Sequence, residues 1–371
     1  MRAFGYDSSI RVLTPRGFIA LLELEDRDEV ITDRNEHVPI RIVGRYDSTD
    51  NVRVIMGSGR SFVCGADTEL EILCGPRFIK TLRPPTDAEL GLRLMPAKFL
   101  LLRKFHYNNT FVKPIGDIDL PELSTAERLL SPYIVGALIN TGYLGNKIDI
   151  SGSIDALKRI ITELPERVSV KIEKRPGSSE HMYTLHLLRE HERAATSNIR
   201  RLIYKLGLSG QIRQIREIPE QYLWTSFANR CTLMKGMFDV GGYDGNHLCD
   251  PDRQSTAFTR TLTLSSANIR MTEQLTFLFL SMGAEVSVRG VPATDRNSSD
   301  QYATVTGRFK DIRTYLNIFK SKYDATTYTI YSLNFKLKVV SAKWIGERYN
   351  LTRYSLPTEG RLLTDTFLPL L

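Results

Sequence analysis

SPYIVGALINTGYL (Ser131–Leu144) and ANRCTLMKGMFDVGGY (Ala228–Tyr243) are the two stretches on which the reading of the whole chain turns. Each is an apolar helix. Each holds a small residue at mid-length, Gly136 or Gly236, and each closes on a second glycine, Gly142 or Gly242. An inner glycine lets a neighbouring backbone come close, and a terminal one ends a helix in a left-handed turn. The elements after each helix come in the same order. After the first come a strand, KIDIS (147–151), a helix, SIDALKRIITEL (153–164), strands VSVKIEK (168–174) and HMYTLHLL (181–188), and a helix, ATSNIRRLIYKLG (195–207). After the second come TRTLTLS (259–265), NIRMTEQLTFLFLSMG (268–283), AEVSVRG (284–290), QYATVTG (301–307) and KDIRTYLNIFKS (310–321). An order repeated in one chain implies an internal repeat and a pseudo-two-fold αββαββα-like domain, with units at about 131–216 and 228–322.

Outward from that repeat the pattern changes. Residues 10–73 carry short β-branched runs, IRVLT (10–14), FIALLEL (18–24), VPIRIVG (38–44), NVRVIM (51–56) and ELEIL (69–73), broken by Gly, Asp and Pro. Such spacing indicates a compact all-β unit. RPPTDAELGLRLMP (83–96) leads away from it, and Ser124-Thr-Ala-Glu127 has the form of a capping box that opens a helix. The stretch 334–355 returns to strand-like alternation.

Composition narrows the classes. A chain of 371 residues fits two or three domains, and 42% hydrophobic with 25% charged residues is ordinary for a globular protein. No run reaches the length of a membrane span, and MRAFGYDSS lacks the apolar core of a signal peptide, so a cytoplasmic location and no membrane partner are expected. The four cysteines, Cys64, Cys74, Cys231 and Cys249, have no metal-ligand spacing, and His181, His186 and His191 share no face of a helix or strand, so no metal is expected from them. The net charge of +8 mildly favours a polyanionic partner.

GALINTGYL (Gly136–Leu144) and GMFDVGGY (Gly236–Tyr243) resemble the paired LAGLIDADG motifs of intein and group-I-intron homing endonucleases. The flanks resemble the same family: Ser8–Thr32 is similar to the first block of an intein's Hint domain, Thr86–Lys98 to the segment leading into the insertion, and Val339–Leu368 to the C-terminal Hint strands. The resemblance implies an α+β protein. Its split all-β Hint-like domain (1–125 and 331–371) would carry an inserted pseudo-two-fold LAGLIDADG-like domain (126–330), with the motif helices packed together at its centre. It also implies a mobile-element or phage origin, and for a phage protein a location inside the host cell. A chain beginning at its own Met further suggests a free-standing gene.

The family's reactive residues do not carry over. Splicing needs a Cys or Ser nucleophile, an assisting His and a final His-Asn. The matching positions are Ala3, Thr68 (in Gly65–Thr68, GADT) and Leu371. Cutting needs an acid just before each terminal glycine to hold a divalent metal. Those positions are Thr141 and Gly241; the nearby acids are Asp239, which matches an acid the family does not use for metal, and Asp244. Mg²⁺ is therefore implied only if the nuclease still works, and no other cofactor and no small-molecule substrate are expected.

Three readings are open. One is non-catalytic binding of double-stranded DNA, which the first unit fits through Lys147, Lys171 and Arg175, with Arg200, Arg201, Lys205, Arg213 and Arg216 further on, and which the second fits less well, through Thr261, Thr263 and Ser287 with Arg289 as its main cation. Another is protein recognition, which suits the uncharged Thr-rich face of the second unit and the aromatic run 323–335. The third is a working endonuclease with relocated acids. A non-enzymatic recognition factor is the expectation, with DNA preferred slightly over protein.

Overall fold

The computed structural model describes residues 4–56, 61–74, 91–102, 110–112, 118–123, 130–140, 144, 148–152, 154–164, 170–174, 183–187, 194–208, 216–241, 243–244, 260–266, 269–289, 303–309, 337–357, 361–364 and 369–370. The chain forms two compact units: a terminal unit from Met1–Leu123 and Tyr331–Leu371, and an inner unit from Ser124–Ile330.

The terminal unit begins with β1 (Phe4–Asp7), β2 (Arg11–Thr14), β3 (Gly17–Ala20), β4 (Glu29–Ile31), β5 (His37–Pro39), β6 (Arg41–Ser48), β7 (Asn51–Met56), β8 (Ser61–Gly65) and β9 (Glu69–Cys74). After β10 (Gly91–Pro96) come the single turn α1 (Phe99–Leu102) and β11 (Thr110–Val112). The run 18–24, expected as one strand, stops at Ala20, where a turn closed by Glu23 N–H to Ala20 O (2.9 Å) takes over. The run 38–44 is cut at Ile40, whose N–H and C=O pair with Asp28 and Arg27 (2.8 Å each) before the chain changes partners. Residues 91–96 do not lead away from this unit; β10 pairs with β9 from Gly91↔Cys74 to Pro96↔Glu69. Strands β1 and β8 were not anticipated from periodicity.

The inner unit contains α2 (Pro132–Asn140), β12 (Ile148–Gly152), α3 (Ile154–Glu163), β13 (Val170–Lys174), β14 (Tyr183–Leu187) and α4 (Ala194–Lys205). A connecting segment holds α5 (Glu220–Leu223). The order then repeats as α6 (Phe227–Gly241), β15 (Tyr243–Asp244), β16 (Arg260–Ser266), α7 (Ile269–Ser281), β17 (Glu285–Arg289) and β18 (Ala303–Phe309). The expected helix at 310–321 and the proposed capping box at 124–127 lie outside the described residues. The helices that open the two halves, α2 and α6, each start on a serine cap: Ser131 Oγ accepts from Ile134 N–H, and Ser226 Oγ from Asn229 N–H (3.3 Å each). Pro132 suits the first helical position because the N–H it lacks would have no partner inside the helix.

The two halves have the same sheet order, β12-β14-β13 and β16-β18-β17, the second with β15 added beside β16. Alternation decides the faces. Ile148, Ile150 and Leu185 in the first sheet, and Leu262, Leu264, Ala303 and Val305 in the second, are buried. All of these except Ala303 share a core with α2, α6 and α7, which contribute Val135, Leu138, Leu233, Met234, Leu275 and Leu278. Burying one such side chain contributes roughly 1.5–3 kcal/mol, so this common core is what commits the repeat to one fold.

The chain returns to the terminal unit with β19 (Leu337–Ile345), β20 (Tyr349–Ser355), β21 (Leu362–Leu363) and β22 (Pro369–Leu370). Among the described residues the largest sheet has the order β10-β9-β11-β19-β7-β8-β1-β20-β6. The C-terminal strands β19 and β20 thus lie between N-terminal strands rather than at an edge, and the sheet needs both ends of the chain. Asp33 and Arg361, side chains 8% and 7% exposed, lock the tail to the β4–β5 hairpin: Arg361 Nε reaches Asp33 Oδ2 at 2.7 Å and Arg361 N–H reaches Oδ1 at 2.9 Å. Tyr6 stacks on Tyr354 at 5.9 Å at the centre of this core.

Candidate nucleic-acid interface

The centre of the inner unit is the contact between α2 and α6. A Cβ built on Gly136 would lie 2.1 Å from Leu233 O, and one built on Gly236 would lie 2.0 Å from Tyr133 O. No side chain fits either gap, so each glycine is required by the backbone of the other helix. The contact is reciprocal, as a pseudo-two-fold demands. Asn140 Nδ2 adds a buried bond across it to Met237 O (2.9 Å).

The polar chemistry at this contact is one-sided. Asp239 Oδ2 accepts from Tyr133 Oη at 2.7 Å and from Arg159 at 2.9 Å, with the Asp239 side chain only 8% exposed. The Arg159 guanidinium also lies 5.6 Å from the Tyr133 ring centroid. Burial, and then the Asp239 charge, push the Tyr133 phenol well above its ordinary range. Lys235, one turn earlier, is held below its usual value by burial and by Arg159, against the opposing pull of Asp239 and Glu163. The corresponding position in α2 is Ile139, which is buried. Among the described residues none fits a Mg²⁺ site: the Asp239 Oδ2 is already bonded to a phenol and a guanidinium, and Gly241 ends α6 with no side chain to offer.

Two arginines of the inner unit are structural, and one of them, Arg216, was expected at the interface. Arg216, fully buried, donates to Leu138 O (2.8 Å) and Ile139 O (3.0 Å) and so caps the C-terminus of α2, where the helix dipole favours a cation. That removes it from the set of phosphate contacts. Arg230, also buried, ties Thr225 O to Ser281 O.

The outward faces of the two sheets differ. On the first, the exposed Lys171 pairs with Glu173 and holds that carboxyl below its usual value. His186 Nδ1 lies 2.8 Å from Asp149 Oδ1, and its Nε2 lies 3.5 Å from Glu173 Oε2. Lys171 is therefore already neutralised by a neighbour. Its partner is two residues along the same strand, a spacing that shares a face and was readable from the sequence. On the second sheet, Thr263 and Thr306 stand opposite one another with hydroxyls 3.1 Å apart, and Ser287 and Arg289 are exposed on the adjoining strand. Thr261 stands opposite Arg308 in the backbone register, and Asp244 opposite Leu262. Lys147, Arg175, Thr141, Gly142 and Gly242 lie outside the described residues, as do Arg213, Ala3, Leu371 and the run 323–335. In the terminal unit Thr68 is buried and donates through Oγ1 to Gly5 O at 2.7 Å, beside the first strand. Cys64 and Cys231 are buried thiols outside any disulfide, and burial raises the Cys64 thiol far above its usual value.

No family model matches the chain, and no curated protein matches it. Among solved structures it is similar to the homing endonuclease I-WcaI bound to its DNA recognition sequence, at 12% identity and a TM-score of 0.32, over 53% of this chain and 82% of that one. It is also similar to the gp41-1 intein, at 12% identity and a TM-score of 0.17, over 32% of this chain and 71% of that one. The chain is a mixed α+β protein with several antiparallel sheets. Among the described residues no helix is long and apolar enough to cross a membrane.

Proposed function

We propose that this chain is a recognition factor on an intein-like plan, a Hint-like terminal unit carrying a LAGLIDADG-like inner unit, that binds double-stranded DNA and neither splices nor cuts. The observation that carries the reading is the outward face of β16, β17 and β18. Threonine and serine hydroxyls there can donate to or accept from base edges, and Arg289 adds a cation for phosphate or guanine. Most of the chain's positive surplus falls in the inner unit, which supports the same partner. The commitment of Asp239 to Tyr133 and Arg159 supports the non-cutting half of the reading.

The test is fluorescence anisotropy of a labelled duplex pool titrated with the protein between about 50 and about 200 mM salt. The expected result is binding whose logarithmic affinity falls linearly with log salt. No binding at the lower salt overturns the reading. Protein recognition is the second reading, favoured by the charge-compensated face of the first sheet, where Asp149 and Glu173 would repel phosphate.

A further inference from the structure

Away from both sheet faces, the inner unit carries an open groove of about 600 Å³ between the end of α4, the connecting segment and α7. Its apolar floor is Trp224 against Phe277, ring centroids 5.4 Å apart, with Leu223 beside them. Its rim is acidic: Glu217, Glu220 and Glu273 stand around it, with Arg270 as the cation among the lining residues. Arg270 touches two of the three loosely, at 3.7 Å from Glu217 and 3.9 Å from Glu273, and all three of these side chains are more than half exposed. Pairs of that kind hold little energy and exchange readily with an incoming charge. The C-terminus of α4 points its negative dipole end at the same place, since Leu206 and Gly207 line the groove directly after that helix.

The walls are fixed before anything binds. Gln274 grips the backbone of Ile218 from both sides, accepting its N–H at 2.8 Å and donating to its C=O at 2.9 Å. Tyr222 donates to Leu130 O at 2.8 Å and so anchors the segment from its other end. A prearranged wall lowers the ordering cost of a complex. A negative, aromatic-floored groove on a unit with a positive surplus is the wrong place for nucleic acid. It complements a ligand that combines a cation with an aliphatic or aromatic anchor, because a guanidinium can lie on an indole face while pairing with a carboxylate.

We propose that this groove docks a basic peptide segment of a partner protein, an apolar residue seated on Trp224 and Phe277 and flanking arginines or lysines meeting Glu217, Glu220 and Glu273. It is a site separate from the sheet faces, and it stands whether or not those faces bind DNA.

The test uses the full chain carrying Trp344→Phe, which leaves Trp224 as the one remaining tryptophan of the two in the sequence. The probe is a hexapeptide alternating arginine and leucine, with glutamine–leucine and glutamate–leucine peptides as controls. The arginine peptide is expected to bind and to change Trp224 emission. The combined change Glu217→Gln, Glu220→Gln and Glu273→Gln weakens it by about tenfold or more, and Arg270→Gln, which removes the internal competitor, strengthens it about two- to fivefold. Equal binding of the glutamine peptide, indifference to the triple change, weaker binding by Arg270→Gln, or no binding at all overturns the proposal.

Discussion

The two halves of the inner unit are alike in backbone and unlike in surface. Their sheets have one strand order, their opening helices each start on a serine cap, and a Cβ added to either glycine at the helix contact would meet the other helix's backbone at nearly the same distance. Their polar positions have diverged. The first sheet shows a compensated cluster of Lys171, Glu173, Asp149 and His186, and the second shows hydroxyls and Arg289. At the helix contact Ile139 faces the role that Asp239 fills in the other half. Packing constrains a repeat wherever two backbones touch, whereas an exposed face is free to change, so the symmetric part of this protein is its core and the informative part is where the halves disagree.

The largest expected effect tests the symmetric part. Gly136→Ala and Gly236→Ala should each destabilise the inner unit by about 3 kcal/mol or more, and by similar amounts, since both added methyls collide with backbone. Urea unfolding followed at Trp224 in the Trp344→Phe background reports the inner unit. A much smaller loss from one glycine than from the other breaks the equivalence of the two helices. Next comes the one-sided ion pair. Asp239→Asn should cost about 2 kcal/mol in the same assay, below the range for fully buried pairs because the Arg159 side chain is 25% exposed. No loss would mean that Asp239 is available for other work.

Alkaline titration compares the two units. The Tyr133 phenol in the inner unit and the Tyr354 phenol in the terminal unit both titrate well above the ordinary value of 10.0 when folded, chiefly through burial. Each folded phenol keeps a proton that the unfolded chain gives up. The stabilisation is therefore complete below about pH 10 and is lost as pH rises past it. Tyr133→Phe should flatten the decline of the inner unit alone, and Tyr354→Phe that of the terminal unit alone, read at Trp224 and Trp344 respectively. A Tyr133→Phe protein whose inner unit still weakens as steeply contradicts this. The smallest effect separates the sheet faces. Arg289→Ala should lower the salt slope of DNA binding by about one, and Lys171→Ala should leave it nearly unchanged because Glu173 already neutralises that lysine. Equal effects would make the two faces equivalent.

Local patterning made the repeat legible. Helices expected at 153–164 and 268–283 stand at Ile154–Glu163 and Ile269–Ser281, and the strand expected at 168–174 stands at Val170–Lys174. Such elements follow from periodicity because their buried faces are set by neighbours three, four or two residues away. Partners distant in sequence were not legible. Tyr133, Arg159 and Asp239 converge from three separate helices, and Arg216 reaches back to the end of α2. Nothing near Arg216 in the chain distinguishes a buried helix cap from a phosphate contact, so charge alone placed it on the wrong side of the protein surface. Strand β10 was hidden for another reason: the Pro-rich start of 83–96 masked the alternation of its second half, which pairs with β9.

Binding without cutting is tested most directly on supercoiled plasmid at saturating protein, with Mg²⁺ or Mn²⁺ present and the products resolved after the protein is removed. Plasmid should be retarded while protein is bound and fully supercoiled once it is stripped. Nicked or linear product at a defined locus, abolished by Asp239→Asn or Asp244→Asn, would contradict it.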